Sequence, residues 1–437
     1  MKFSLSSTIS LLGYKIPIIL TLVPPFITAI LIYLFHVNVP FYDQWDLVPD
    51  MVKMRAGSLT VNDLWQPHGG HRIFFPKIIM VVLAKFTGWD IGVELTLNFI
   101  LALGIFAAVI YLVRYIISSK TDKYYWLLPV FSLVIFSPNQ WENWLWGFQI
   151  TIFLNVFAVV LGILLIASPK LDWKKLTLSI FLGIIATYSY GTGLLYWILG
   201  FTVLFSHRKR IKSFLLSGLI FLFSSVIVVF LYFFQSNSLF QGFIFIYQHP
   251  VDFILYVFSF LGGPIAGVHP VPAIFAGITG IAIFIILSLE LIRKEGIRKR
   301  CIVLIVLGLY AISSGFVTAL GRGELGSMQA ISSRYITIGN LLWLCNISLL
   351  FLSIKFRERS AAKIYSSALF LIILSSIAFS IYRIRNFYRQ KIYLQEARDE
   401  LVEGGSNHYI KRLYHSEGVL LEYKKMLENH NLWIYHK

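Results

Sequence analysis

Residues 16–46 read IPIILTLVPPFITAILIYLFHVNVPFYDQWD, and this stretch indicates the fold class. It begins with an apolar run to about residue 36, close to the ~20 residues that an α-helix needs to cross a bilayer. No small-residue cleavage site follows this run, so we interpret it as an uncleaved first membrane span and not as a signal peptide. Asp43 and Asp46 come directly after it, where the chain leaves the membrane.

The rest of the chain has the same apolar character. Of its 437 residues, 57% are hydrophobic and only 14% are charged, whereas a typical soluble domain has about 25% charged residues. Disordered, collagen-like and ordinary soluble globular classes are therefore excluded. We predict an all-α, polytopic membrane protein with about eleven transmembrane helices. The predicted spans are residues 16–36, 91–113, 124–138, 148–167, 176–190, 192–206, 213–234, 271–292, 301–320, 336–354 and 364–382.

The net charge of +17 would suit a nucleic-acid partner. The basic residues, however, form short clusters between the apolar runs, for example at 208–210 and 298–300. This is the pattern of cytoplasmic loops under the positive-inside rule, so no nucleic-acid binding is expected. The alternation of the clusters predicts a multi-pass protein with a cytoplasmic N-terminus and an extracytoplasmic C-terminus. Cys301 and Cys345 both lie in apolar stretches, so we expect no disulfide and no cysteine metal site.

Residues 73–87 are ambiguous. If this stretch crossed the membrane, the basic residues between 114 and 123 would lie outside and the alternation would fail. If it lies on the outer face as a helix, the alternation holds, and Lys77 and Lys85 suit such an interfacial helix. We therefore predict that residues 37–90 form a first outer loop containing juxtamembrane helices.

The chain is expected to divide near residue 383. Residues 1–383 contain every predicted span, and residues 384–437 form a small helical tail outside the membrane, broken at Gly404 and Gly405. Besides the first loop and the tail, the predicted outer segments are residues 137–146, 235–270 and 321–334.

The acidic residues of the first loop are candidates for catalysis. Asp43 and Asp46 are three residues apart, so they share a face if the turn is helical. An ionised carboxylate at this position could act as a general base toward a hydroxyl group. The alternative interpretation is a helix cap followed by a solvated acidic residue.

A second group is Gln66-Pro-His68-Gly-Gly-His71-Arg72, a glycine turn with basic side chains. Histidine and arginine on such a turn are suited to a phosphate group, which they bind through charge-assisted hydrogen bonds. The alternative is a polar turn that caps the helix at 73–87. No third or fourth ligand for a zinc ion is evident near the two histidines, so we expect no metal site.

Two further groups lie in later outer segments. The stretch 141–149 is rich in tryptophan and contains Glu142, Trp144 and Gln149, which could form a platform for a sugar; the alternative is an interfacial aromatic belt. Arg322 and Arg334 stand at the ends of apolar runs, which favours an anionic partner such as a lipid phosphate. The alternative is that these arginines reach toward lipid headgroups.

Taken together, the sequence resembles the GT-C superfamily, the integral-membrane glycosyltransferases that use polyprenyl-phosphate sugars. Protein O-mannosyltransferases and lipid A aminoarabinose transferases belong to it. The resemblance is carried by an acidic loop directly after the first span, a basic turn closing that loop, and a surface helix ending at Phe86-Thr-Gly88. The late Ser333-Arg334-Tyr335 at a span entrance completes it. Two features differ: the second acidic motif of many members has only Glu142 as a counterpart, and the large soluble domain of some is reduced to the tail.

The resemblance implies roles for individual residues. The catalytic base falls on Asp43 or Asp46, and Asp43 is closer to the end of the first span. Arg334 would hold the lipid phosphate, helped by other basic residues of the outer loops. We therefore expect phosphate binding by Arg334, Arg72, His71 and Arg322, and sugar or acceptor binding by Glu142, Trp144, Gln149, His68 and Tyr335.

The expected activity is inverting transfer of a sugar from a polyprenyl-phosphate donor to a glycan, lipid or protein acceptor at the outer face of the inner (plasma) membrane. No cofactor is expected, and a requirement for a divalent cation is left open. One alternative is a transporter or flippase for lipid-linked glycans, which would carry polar residues inside its spans. Another is an O-antigen-type polymerase or ligase, which would have a large late loop. The polar residues crowd into the outer loops, which favours a transferase.

Overall fold

The computed structural model describes residues 5–117, 125–168, 170–208, 213–234, 240–355, 359–404 and 408–436. This part of the chain is helical and contains no β-strand, with a single isolated bridge between His68 and His71. Eight of its helices are long and apolar enough to cross a membrane. The predicted all-α, polytopic class is confirmed.

Long apolar helices make up most of the chain, and short helices lie between some of them. The first span α1 (Leu5–Phe35) leads into a 3₁₀ turn at Tyr42–Leu47, and then into the first-loop helices α2 (Val48–Arg55), α3 (Val61–Trp65) and α4 (Phe74–Thr87). Next come α5 (Ile91–Ile117), α6 (Leu127–Ile135), α7 (Trp141–Leu145), α8 (Ile150–Ile166), α9 (Trp173–Thr187), α10 (Leu195–Ser206) and α11 (Phe214–Phe233). The remaining helices are α12 (Phe240–Gln248), α13 (Pro250–Ala266), α14 (Pro270–Ile292), α15 (Glu295–Arg322), α16 (Gly326–Ala330), α17 (Ile336–Lys355), α18 (Arg359–Glu403) and α19 (Glu417–Asn429).

The predicted spans correspond well to these helices. Eight of them coincide with the helices of spanning length. The other three, at 124–138, 176–190 and 192–206, contain the shorter helices α6, α9 and α10, with 9, 15 and 12 residues. Among the basic residues used to orient the chain, Lys120, Lys123, Lys209 and Arg210 lie outside the described residues.

Helix α13 is an apolar helix of 17 residues within the segment 235–270, which was expected to be an outer segment without a span. It packs lengthwise against α14 at a distance that only glycine allows. A Cβ atom on Gly262 would lie 1.7 Å from the carbonyl oxygen of Ala273, and one on Gly277 would lie 2.0 Å from that of Phe258. Small residues permit this close approach of helices where lipid offers no competing hydrophobic drive.

The first outer loop and the tail share a hydrophobic core separate from that of the helical bundle. Trp45 of the loop and Trp433 of the tail are almost fully buried, with ring centroids 5.9 Å apart. The indole Nε1 of Trp433 also donates a hydrogen bond to the carbonyl oxygen of Asn38, at 2.8 Å. The loop and the tail therefore lie on the same side of the membrane.

Helix α4 belongs to this second core and is too short to be a span. It buries Met80, Val81 and Ala84 against the loop and the tail. Lys77 does not face lipid: it is buried, with its Nζ atom 3.4 Å from a carboxylate oxygen of Asp50. Lys77 was expected to lie at the membrane interface, but it forms an ion pair within the loop instead.

The tail is continuous with the membrane bundle. Helix α18 runs for 45 residues through the predicted domain boundary at residue 383. Its last turns place Leu394, Ala397 and Leu401 in the second core. The first part of the tail is therefore the extension of a membrane helix.

The orientation of the chain can be tested by cysteine labelling, because the native Cys301 and Cys345 are both buried. Val61 in the first loop is 72% exposed, and Arg298, at the opposite end of α15 from Arg322, is also exposed. We expect a membrane-impermeant maleimide to label Val61→Cys in intact cells, and to label Arg298→Cys only after permeabilisation. Labelling of both variants in intact cells would contradict the topology, as would the reverse pattern.

Candidate active site

The site begins at the 3₁₀ turn that follows the first span. The Phe41 N–H donates to Oε1 of Gln44 at 3.2 Å, and the Gln44 N–H donates to the carbonyl oxygen of Phe41 at 3.1 Å. Gln44 and Trp45 are buried on one side of the turn, which leaves Asp43 and Asp46 partly exposed on the other. The amide of Gln44 is fixed in turn by Glu94, whose Oε2 accepts from Nε2 at 2.7 Å.

The basic turn of the first loop is a two-residue hairpin. The N–H groups of His68 and His71 donate to each other's carbonyl oxygens at 2.7 and 2.9 Å. Gly69 and Gly70 between them have φ angles of 52° and 82°, a conformation that side-chain-bearing residues rarely adopt. The two glycines therefore let the chain reverse, so that both imidazoles reach one pocket.

That pocket is formed by segments distant in the sequence, and it collects most of the predicted site residues. It is bounded by the first loop, the entrance to α8, the turn after α9, the end of α15 and the entrance to α17. The predicted residues that line it are Asp43, His68, His71, Gln149, Arg322, Arg334 and Tyr335. Trp146, one of the tryptophans of the stretch 141–149 that was expected to form a sugar platform, lines it too. Sequence reasoning missed Phe148 and Tyr190, which also line it.

The two arginines supply the positive charge of the pocket. The Arg334 guanidinium lies over the rings of Trp146 and Tyr335, 5.9 and 5.6 Å from their centroids. Its Nε atom is buried and has no hydrogen-bond partner among the described residues. A buried cationic donor of this kind is costly unless a ligand satisfies it.

Glu142 does not line the pocket but holds Arg334 in place. Its Oε2 accepts hydrogen bonds from the Ser333 hydroxyl at 2.8 Å and from the Arg334 N–H at 3.0 Å. Asn143, next to it, donates from Nδ2 to the Arg334 carbonyl oxygen at 3.0 Å. The predicted contact of Glu142 with a sugar is therefore replaced by fixation of the backbone at Arg334.

The two first-loop carboxylates have different surroundings. Asp46 accepts a hydrogen bond from the Tyr414 hydroxyl of the tail, and its other oxygen lies 3.8 Å from Nε2 of His68. Asp43 faces the pocket, and its carboxylate has no hydrogen bond within the described part of the chain. Only Asp43 therefore offers a free carboxylate to a molecule in the pocket.

Two further predicted site residues, Arg72 and Trp144, do not line the pocket either. Arg72 is buried outside the pocket and donates from Nε to the Tyr232 carbonyl oxygen at 3.0 Å and from Nη1 to that of Trp65 at 2.8 Å. Its Nη2 donates to the carbonyl oxygen of Phe234, so the guanidinium fastens the first loop to the end of α11. Trp144 is fully buried and donates from Nε1 to the Ser137 carbonyl oxygen at 3.0 Å. Neither side chain is available to a phosphate or a sugar.

One group of side chains could hold a cation. Asp43, Asp46 and His68 each offer one ligand atom, and these atoms lie within 4.8 Å of one another. Two carboxylate oxygens and an imidazole nitrogen form a donor set that several divalent metals accept, with water completing the shell. One oxygen of Asp46 is already engaged by Tyr414.

The histidines of the pocket have pKa values below the ordinary range. Burial lowers the pKa of His71 to about 4, and the positive charge of Arg322 adds to this effect. Burial also lowers the pKa of His68, although the charges of Asp43 and Asp46 oppose the change. Both imidazoles are therefore neutral near pH 7, and the permanent positive charge of the pocket comes from its arginines.

The lowered pKa of His71 predicts a dependence of stability on pH. The unfolded chain binds a proton on this histidine below about pH 6.5, whereas the folded protein resists protonation down to about pH 4. Stability should therefore fall as the pH drops through this interval. We expect His71→Gln to lose less thermal stability than the wild type between pH 6.5 and 4.5, measured in detergent. Identical pH dependence in both proteins would contradict the assignment.

Comparisons with known proteins give only distant likeness. No family model and no curated protein matches the chain. Among solved structures, it is similar to the crystal structure of ArnT from Cupriavidus metallidurans bound to undecaprenyl phosphate. The identity is 13% and the TM-score 0.40, over 99% of this chain and 77% of that chain. A likeness at this level carries no argument, so the fold class rests on the helices and the functional inference rests on the pocket.

Proposed function

We propose that the protein is a membrane glycosyltransferase that moves a sugar from a polyprenyl-phosphate donor to an acceptor hydroxyl. The observation that carries this proposal is a single pocket in which a free carboxylate, Asp43, lies with two arginines, Arg322 and Arg334. The pocket lies where the outer loops meet the ends of the membrane helices. A lipid-anchored phosphate reaches such a place from the bilayer while its sugar remains among polar side chains.

Arg322 and Arg334 are proposed to bind the donor phosphate. Guanidinium groups form paired, charge-assisted hydrogen bonds with phosphate oxygens. The buried Nε of Arg334 has no hydrogen-bond partner among the described residues. A buried donor needs an acceptor, and a phosphate oxygen would supply one. During transfer, negative charge develops on the departing phosphate, and fixed cations beside it lower the barrier.

Asp43 is proposed as the general base. Its carboxylate takes the proton of the acceptor hydroxyl while the hydroxyl oxygen attacks the anomeric carbon of the sugar. The bond between that carbon and the phosphate oxygen breaks at the same time, and the phosphate keeps the electron pair. Attack from the face opposite the phosphate inverts the anomeric centre. Asp46 is less suited to this role because the Tyr414 hydroxyl already engages its carboxylate and because it does not line the pocket.

The sugar is proposed to lie against the aromatic and amide groups of the pocket. Trp146, Tyr190 and Tyr335 line the pocket, and so does Gln149, the residue directly before α8. Oε1 of Gln149 and Nε1 of Trp146 are buried without hydrogen-bond partners among the described residues. Sugar hydroxyl groups can satisfy an acceptor and a donor of this kind. The acceptor is proposed to be a hydroxyl group of a glycan, a lipid or a protein, and the reaction is proposed to occur at the outer face of the plasma membrane.

Replacement of Asp43 tests the proposed base. We expect Asp43→Asn to fold and to bind the donor, and to lower turnover by about 10²–10⁴-fold, the usual contribution of general-base catalysis. The measurement is sugar transfer by purified protein in lipid nanodiscs, with a series of polyprenyl-phosphate sugars as donors.

Asp252→Asn is the matched control, because Asp252 is exposed and does not line the pocket. It should retain wild-type turnover. Wild-type turnover in both Asp43→Asn and Asp46→Asn would show that the first loop does not supply the base.

Replacement of Arg334 tests phosphate binding. Loss of one charge-assisted partner should weaken donor binding by about 10- to 100-fold in Arg334→Ala and should also lower turnover. Arg334→Lys should restore only part of the loss, because an ammonium group lacks the planar fork of arginine. Binding can be measured by native mass spectrometry with undecaprenyl phosphate. Arg385→Ala, outside the pocket, is the control, and an unchanged donor affinity in Arg334→Ala would exclude the assigned role.

A further inference from the structure

The tail contacts the Asp43–Asp46 turn at both of its ends. The N–H of Tyr42, directly before Asp43, donates to the carbonyl oxygen of Leu413 at 2.8 Å. At the other end, the hydroxyl of Tyr414 donates to a carboxylate oxygen of Asp46. Two successive tail residues thus enclose the segment that presents Asp43 to the pocket.

The turn needs such support because its backbone is unfavourable in isolation. Tyr42 has a φ angle of 43°, in the left-handed region that non-glycine residues rarely adopt. A residue in this region is strained and keeps this conformation only when its surroundings impose it. The hydrogen bond to Leu413 acts on the amide of this same residue. Phe41, the preceding residue, packs edge-to-face against Trp146 of the pocket wall, with centroids 5.4 Å apart.

The tail segment that provides these contacts is itself held firmly. Leu413 is fully buried in the second core. Glu400 of α18 accepts hydrogen bonds from the N–H groups of His408 and Ile410 at 2.9 and 3.0 Å. Arg412 donates to Glu396 of the same helix at 2.7 Å. The segment is therefore fastened to α18, which continues into the membrane bundle.

We propose that Leu413 and Tyr414 of the tail position the first-loop turn for catalysis, so that the tail is a working part of the active site. This inference rests on the proposed function. Tyr414 does not line the pocket, so it is a positioning residue and not a catalytic one. Its hydroxyl engages Asp46, fixes the orientation of that carboxylate and leaves Asp43 free for the acceptor.

The chemistry of Tyr414 suits a permanent donor. Burial, together with the hydrogen bond to Asp46, raises the pKa of this tyrosine above its ordinary value. The hydroxyl therefore keeps its proton at neutral pH and can only donate to the carboxylate. Tyr414→Phe removes this one oxygen and preserves the ring, which packs near Tyr423 with centroids 6.0 Å apart.

The test compares Tyr414→Phe with Tyr423→Phe. Tyr423→Phe removes the same atom from the same part of the tail, but the Tyr423 hydroxyl makes no hydrogen bond among the described residues. We expect Tyr414→Phe to lower kcat about tenfold, the rate equivalent of one lost hydrogen bond. The KM for the donor should stay unchanged, because the arginines that bind its phosphate lie on other segments. Tyr423→Phe should retain the wild-type kcat.

A second measurement does not depend on activity. Hydrogen–deuterium exchange of the peptide covering residues 41–47 should be faster in Tyr414→Phe than in the wild type and in Tyr423→Phe. Faster exchange with a lower kcat supports the proposal. Wild-type exchange, or a wild-type kcat in an active enzyme, overturns it. If wild-type protein transfers no sugar from any donor, the proposed function fails and the inferred catalytic role fails with it, while the exchange data still report whether the tail holds the turn.

Discussion

The carboxylate of Glu142 joins two parts of the chain that are 191 residues apart, and the pocket depends on this junction. Glu142 accepts hydrogen bonds from Ser333 and from the backbone of Arg334, in a partly buried region. Hydrogen bonds to a charged group contribute about 1.5–3 kcal/mol each, more than neutral ones. They fix the entrance to α17 against the segment before α8, which sets the position of the Arg334 guanidinium opposite the first loop.

The other wall of the pocket depends on packing outside the membrane bundle. The second core, formed by the first loop and the tail, buries large aromatic side chains such as Trp45 and Trp433. Because aromatic residues bury 150–250 Å² each, such a core holds a loop of short helices in one arrangement. The arginines thus stand on membrane helices and the carboxylates on a loop held by the tail. The chemistry proposed here takes place between these two bodies of structure.

Much of this could be predicted from the sequence, because polar residues stand out in so apolar a chain. Asp43, Arg322 and Arg334 lie at the ends of apolar runs, and desolvation confines such residues to the membrane surface or to functional sites. The errors concern directions of side chains. His71 faces the pocket while its neighbour Arg72 points away, and the geometry of the glycine hairpin decides this. Trp144 lies within α7, whereas Trp146 directly follows this helix and has an extended backbone. The two indoles therefore pack into different cores.

The contact between Tyr414 and Asp46 could not be predicted, since it joins residues 368 positions apart that have no periodic relation. Helix α13 was missed for a local reason, because prolines and paired glycines are typical of loops. Here Pro250 starts the helix, Pro264 lies inside it, and Gly262 allows it to pack closely against α14.

The most direct test of the account is an experimental structure of the protein in a lipid nanodisc with undecaprenyl phosphate. We expect the phosphate to lie in the pocket, with its oxygens about 3 Å from a guanidinium nitrogen of Arg322 or Arg334. Asp43 should lie on the side of the phosphate where the sugar of a donor would be attached. A phosphate bound at the basic loops on the opposite face of the membrane, with the pocket empty, would contradict the account.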